Sequence, residues 1–312
     1  MTNSPRHHSD EVHEHDRGLS HDLKSMLSRR RALFVFGAAG ASALAACSTA
    51  GSTASSTTSA AEASSTAGDV AATGTCVAAA PQETAGPYPG DGSNGPNVLV
   101  ESGIVRQDIR SSFGSYSGTA EGVATTIELT LQDLTKDCAA GEGMAVYLWH
   151  CDRDGEYSLY GQGITEQNYL RGVQVADSTG KVSFTSIFPA CYSGRWPHIH
   201  FEVFDSLESA VAGEDARLTS QIAVPQDACT TVFAYDSGYA NSVRNLSQVS
   251  LDSDNVFGDG WDAELATVSG EPASGMTISI IVGVAEKSAN TQSAPSGPSG
   301  GGGQPPMGAP SR

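Results

Sequence analysis

The pentapeptide Pro197-His198-Ile199-His200-Phe201 constrains this chain more than any other stretch, because its chemistry is read most simply from an extended strand. Side chains alternate across a strand, so His198 and His200 face one way while Ile199 faces the other. The two imidazoles then stand about 7 Å apart along the strand, close enough to reach one metal ion. Three of the eight histidines lie beyond residue 50, and two of those three are in this pentapeptide. Arg195 lies three residues before His198, Tyr192 six before, and Tyr157 another 35 upstream of Tyr192. Two tyrosines and two histidines make an N₂O₂ donor set that suits ferric iron, a hard ion that favours anionic oxygen and accepts imidazole.

The surrounding sequence is consistent with strands. Ala124 to Leu131 alternates apolar and polar residues, and Ala145 to Cys151 is rich in aromatic and apolar ones. Gly172 to Val175, Lys181 to Phe188, His198 to Phe204, Ser220 to Val224 and Met276 to Val284 complete the strand candidates. Gly, Asp, Ser and Pro punctuate them. The pattern predicts an all-β fold, a single β-sandwich with long loops and few short helices. Ser206 to Ala212 is the best short helix, stopped by Gly213, and Asp236 to Asp262 reads as a long loop with one helical turn.

Both ends of the 312-residue chain are poor in core-forming residues. Residues 1–46 read as a signal: Ser28-Arg29-Arg30-Arg31-Ala32-Leu33-Phe34 is similar to a twin-arginine export motif. The apolar stretch from Ala32 to Ala46 is too short for an ordinary membrane span. Leu44-Ala45-Ala46-Cys47 resembles the lipobox of bacterial lipoproteins. The expectation is an exported bacterial protein, either anchored at the cell surface through lipidated Cys47 or secreted. Residues 47–75 are a Ser/Thr/Ala-rich linker, 76–286 the folded domain, and 287–312 a Gly/Pro/Ser-rich tail expected to be disordered.

Removing the six basic and five acidic residues of 1–46 leaves 11 basic against 30 acidic residues, a formal charge of −19. That sign disfavours nucleic acid as a partner, and electrostatic adhesion to an anionic membrane as well. Besides Cys47 the chain has Cys76, Cys138, Cys151, Cys191 and Cys229, an odd number, none with zinc-type spacing. Export permits disulfides, and the expected pairs are Cys76–Cys138 and Cys191–Cys229.

Longer motifs accompany the histidine pair. They are Glu83-Thr84-Ala85-Gly86-Pro87-Tyr88, Leu148-Trp149-His150-Cys151-Asp152, Gly155-Glu156-Tyr157, Tyr169-Leu170-Arg171-Gly172 and Phe184-Thr185-Ser186-Ile187-Phe188-Pro189. Cys191-Tyr192-Ser193-Gly194-Arg195-Trp196 runs directly into the histidine pentapeptide. In this order the sequence resembles the intradiol ring-cleavage dioxygenases, in particular secreted relatives of the protocatechuate 3,4-dioxygenase beta subunit, over about residues 76 to 286.

The resemblance implies an Fe(III) cofactor held by Tyr157, Tyr192, His198 and His200. Tyr157 matches the tyrosine that stays bound, and Tyr192 the one that leaves when substrate arrives. Arg195 matches an arginine over the substrate ring, and Gln221 a glutamine near the substrate. The implied partners are a catechol-type aromatic and O₂, and the implied reaction cleaves the ring between the two hydroxyl-bearing carbons to a muconate-type diacid. Tyr160 and Tyr169 read as structural, and His150, on one strand face with Val146 and Leu148, as a core residue or one standing just behind the ligands. Trp149 and Trp196 read as core or pocket wall. Two function classes fit the same donor set: the ring-cleaving enzyme, and a cell-surface protein that captures iron or catecholates without cleaving them. The state of oligomerisation is left open.

Overall fold

Alternation sets the first strand. In Ala124–Asp133 (β1), Thr125, Ile127, Leu129, Leu131 and Asp133 are buried while the residues between them are not. This is the period-two burial expected of a strand with one face on a core. A computed structural model of the chain describes residues 75–287. The export motif, the lipobox, nearly all of the linker and nearly all of the tail lie outside the described residues.

Two sheets face each other. In the first, Gly275–Val284 (β9) runs parallel to β1, in register from Thr125 opposite Met276 to Asp133 opposite Val284. Thr267–Glu271 (β8) pairs antiparallel with β9. The other edge of β1 takes Ala139–Ala140 (β2) and Lys181–Ile187 (β5). The second sheet is antiparallel throughout, in the order Arg171–Val175 (β4), Ala145–Trp149 (β3), His198–Phe204 (β6) and Leu218–Ala223 (β7). Every residue of β3, β6 and β7 is buried. Such strands need cover on both faces. On β6 one face carries Ile199, Phe201 and Val203, and the other carries His198, His200 and Glu202.

Register aligns Arg171, Trp149, His200 and Gln221 directly opposite one another across the four strands. Residues paired in this way share a face. One row of the sheet therefore presents both a predicted ligand and the predicted substrate-side glutamine.

The expected short helix is Leu207–Ala212 (α1), capped by the Ser206 side chain and ended by Gly213 in the left-handed region at φ 73°. The stretch from Asp236 to Asp262 is more ordered than a loop with one turn. It holds Ala240–Leu246 (α3) and short 3₁₀ turns at Ser237–Tyr239, Leu251–Ser253 and Phe257–Asp259. A further helix, Gln226–Tyr235 (α2), was not expected. It buries Ala228, Cys229, Val232 and Phe233, a narrow stripe of mostly small side chains beside two threonines.

Cys76–Cys138 is a disulfide with Cα atoms 5.5 Å apart, closing a loop of sequence separation 62. Chain-entropy arguments give such a loop about 4 kcal/mol of stabilisation. The second expected bridge is absent: Cys191 and Cys229 are both buried free thiols, as is Cys151. Each faces a main-chain carbonyl instead, Cys191 at Arg195 and Cys229 at Val224. His150 is buried as expected, its Nε2 2.7 Å from Ser186 Oγ in the opposite sheet.

Candidate metal centre

Four side chains meet above β6. Tyr157 Oη lies 3.3 Å from His198 Nε2 and 3.2 Å from His200 Nε2. Tyr192 Oη lies 3.2 Å from His198 Nε2, and the two Nε2 atoms are 3.1 Å apart. Separations of this size are the edges of a coordination polyhedron around an ion with ligand distances of about 2 Å. The described residues hold no metal-binding group of three or more His, Cys, Asp or Glu, so a cation here depends on the tyrosines.

The ring orientations are fixed from behind. His198 Nδ1 is 2.5 Å from Trp196 O, which places the imidazole proton on Nδ1 and leaves the Nε2 lone pair facing the centre. His200 stacks on Trp149, with centroids 5.0 Å apart and planes 5° from parallel. Burial holds both imidazoles far below their ordinary pKa, with the Arg195 charge adding to the effect. Both are neutral at physiological pH, as metal ligands must be.

The phenols shift the opposite way. Burial, and then the neighbouring Tyr192, push Tyr157 well above the ordinary tyrosine value. Tyr192 is pushed up to about 12, again chiefly by burial. Two phenols that resist ionisation, set against two neutral imidazoles, form a centre whose phenolates need a cation. The donors fit ferric iron: two phenolates reduce its charge while the imidazoles complete an N₂O₂ set.

Residues 115–245 match a family described as Dioxygenase. The matched stretch contains Tyr157, Tyr192, Arg195, His198, His200 and Gln221. Solved structures share the chain's fold. One is an intradiol ring-cleavage dioxygenase from Tetranychus urticae, 22% identical, covering 67% of this chain and 95% of its own, with a TM-score of 0.50. Another is the dioxygenase Tetur07g02040, also 22% identical, covering 67% of this chain and 94% of its own, with a TM-score of 0.51. At such identity these two speak for the fold alone.

Beside the four donors, the fold holds Arg195 in a fixed pose. Asp254, whose side chain is fully buried, accepts from Arg195 Nε (2.9 Å) and from the backbone N–H groups of Trp196 (2.7 Å), Val256 (2.9 Å) and Phe257 (3.2 Å). Arg195 Nη2 then donates to Gln221 Oε1 at 2.7 Å, and Gln221 Nε2 donates to Thr84 O at 2.9 Å. The structure thus brings together all six site residues expected from the sequence. Asp254 was not foreseen, since it is one acid among several in a polar stretch with no spacing signal.

Residues 83–90 run over the centre as a strap. Gly86 adopts φ 71°, and a Cβ there would sit 3.3 Å from His200 Cε1, so the close approach requires glycine. The Tyr88 ring lies 5.2 Å from that of Tyr157 and 5.1 Å from that of Tyr160. As expected, Tyr160 and Tyr169 are structural: Tyr160 Oη accepts from Gly90 N, and Tyr169 Oη donates to Asp152.

Glu264 stands behind Gln221, almost fully buried. Its Oε1 accepts from Ser220 Oγ at 3.3 Å, and its Oε2 has no hydrogen-bond partner among the described residues. Burial first, then Glu83, pushes its carboxyl up to about 9 from 4.5. A raised carboxyl pKa means the folded state retains a proton that the unfolded state releases. The associated stability is therefore present below pH 4.5 and is lost as pH climbs toward 9. Glu264→Gln removes the ionisation while keeping the shape. Denaturant unfolding should show the variant gaining on wild type as pH rises, by on the order of 5 kcal/mol at pH 8 and little at pH 5. A difference that does not change with pH would mean the carboxyl is already ionised in the fold.

Proposed function

We propose that the domain binds Fe(III) through Tyr157, Tyr192, His198 and His200 and cleaves a catechol between its two hydroxyl-bearing carbons, with O₂ as co-substrate and a muconate-type diacid as product. The observation that carries this reading is the meeting of four N and O donor atoms at separations of 3.1 to 3.3 Å. Bound iron would supply a Lewis acid and a template that chelates adjacent hydroxyls and brings them to oxygen.

The protein's own groups do the rest. Tyr157, 3% exposed, is the ligand with no route out. Tyr192 is only partly buried, so its oxygen, a phenolate when held on a cation, would be the one able to swing toward solvent, take up a substrate proton as it becomes the phenol, and give that proton up on returning. Arg195, locked by Asp254, holds a fixed cation beside the centre, where negative charge develops on the ring. Gln221, held between Arg195 and the strap, fixes the other wall.

Metal analysis and absorption spectroscopy test the cofactor. The purified protein is expected to carry iron and to be coloured, through phenolate-to-Fe(III) charge transfer. A colourless, zinc-loaded protein with full activity would contradict it.

Location is proposed from the sequence: export by the twin-arginine route, and membrane anchoring through a lipid on Cys47. Replacing Arg29 and Arg30 with Lys should leave the protein in the cytoplasm. Cys47→Ala should release it from membranes in fractionation and detergent partition. Unchanged membrane association of Cys47→Ala would show that something else anchors it.

A further inference from the structure

The strap at residues 83–90 follows the row Arg171–Trp149–His200–Gln221 from end to end. At one end Gln221 holds Thr84 O; in the middle Gly86 rests against His200. At the other end Arg171 Nη2 donates to Tyr88 O at 3.0 Å and Nη1 to Pro89 O at 2.8 Å.

The same guanidinium also reaches the loop that carries Tyr157. Its Nε donates to Ser158 Oγ at 3.0 Å and its Nη2 to Ser158 O at 2.9 Å, while Nη1 meets Tyr147 Oη at 3.2 Å. Arg171 is 1% exposed, and these five acceptors are all neutral oxygens. Burying a cation against carbonyls and hydroxyls costs stability rather than adding it, so packing alone does not account for an arginine here.

The backbone gives a second, independent observation. Leu159 and Leu170 both adopt left-handed φ angles, 73° and 56°. Branched side chains avoid this region, and such residues persist only where surrounding contacts over-determine them. Leu159 directly follows Ser158, and Leu170 directly precedes Arg171. Ser158 Oγ closes the gap between them by donating to Tyr169 O at 2.7 Å.

We propose that Arg171 is a positioning residue that clamps the Tyr157 loop and the strap into one geometry, and so sets the shape of the pocket wall that carries Tyr88. It touches none of the four donor atoms and acts through Ser158, Tyr88 and Pro89. The proposal rests on the iron-and-catechol reading only for its spectroscopic and kinetic consequences. The strap consequence stands without metal.

The test uses the full-length protein, iron-loaded and metal-free, as wild type, Arg171→Lys and Gly90→Ala. A lysine keeps the charge but cannot span strap and loop. A Cβ on Gly90 would lie 2.9 Å from Arg171 Nη1 at φ 70°, displacing the strap from the guanidinium without removing it. Both variants should speed hydrogen exchange of strap peptides about tenfold, in metal-free protein too. Both should shift the visible band per bound iron, and both should raise KM for catechol about tenfold with a smaller change in kcat. If Arg171→Lys does not fold, Gly90→Ala decides on the same readouts. Reduced thermal stability with wild-type strap exchange, band position and KM would overturn the proposal. Accelerated strap exchange in a protein that binds no iron at all would uphold the clamp and sink the ligand reading instead.

Discussion

Tyr157→Phe is expected to lose most of its iron and most of its colour, whereas Tyr192→Phe is expected to keep the metal and turn over slowly. The two phenols differ in surroundings. Tyr157 is almost fully buried, its hydroxyl sits within 3.3 Å of both imidazole Nε2 atoms, and its ring packs against Tyr88. No water can replace its oxygen without reopening that packing. Losing a supporting partner of a metal ligand commonly costs 10–100-fold in affinity, and losing the ligand itself should cost at least as much, about 100-fold or more. Tyr192 lies on the accessible side and meets one imidazole nitrogen, His198 Nε2, at 3.2 Å. Its replacement leaves three donors and room for water, so iron stays while proton uptake from the substrate slows. Iron content by metal analysis, visible absorbance per iron and kcat separate the two variants. Equal, negligible effects on iron and turnover would refute both assignments.

Arg195→Ala should lower kcat by on the order of 10²–10³ and leave iron in place. On the proposed reading the guanidinium contributes through fixed charge: Asp254 accepts its Nε, Gln221 accepts its Nη2, and the buried site weakens solvent screening. No nitrogen of Arg195 is a ligand, so catechol should still chelate, and the colour change on adding it should persist. The comparison to make is kcat at saturating catechol and oxygen against iron per chain. Wild-type turnover would remove Arg195 from the reaction, and iron loss would make it a structural residue.

What the sequence reveals about this fold depends on how local the physics is. β1, β5, β6 and β9 carry their own apolar alternation or aromatic density, and their positions were readable within a residue or two. β8 was not. Thr267–Glu271 is an exposed edge strand whose apolar content is one valine, so its place comes from pairing with β9. α2 follows Pro225 without a capping side chain and buries mostly small residues, so neither its start nor its stripe stands out. The histidine pair was legible because two residues apart on a strand means one face. The tyrosines were legible through the motifs around them. The roles of Asp254 and Arg171 were not, because they depend on long-range partners such as Arg195, 59 residues from Asp254, and Tyr88, 83 residues from Arg171. The expected Cys191–Cys229 bridge failed for the same reason: counting cysteines says nothing of which thiols the fold turns toward each other.

Oxygen uptake by the purified, iron-loaded protein supplied with catechol is the most direct measurement of ring cleavage. It should be followed together with the ultraviolet band of the muconate product. One oxygen consumed for each diacid formed, with activity abolished when the iron is removed and restored by Fe(III), is the predicted result. A catechol-induced colour change with no oxygen consumption and no diacid would contradict it, and would make the centre a binding site.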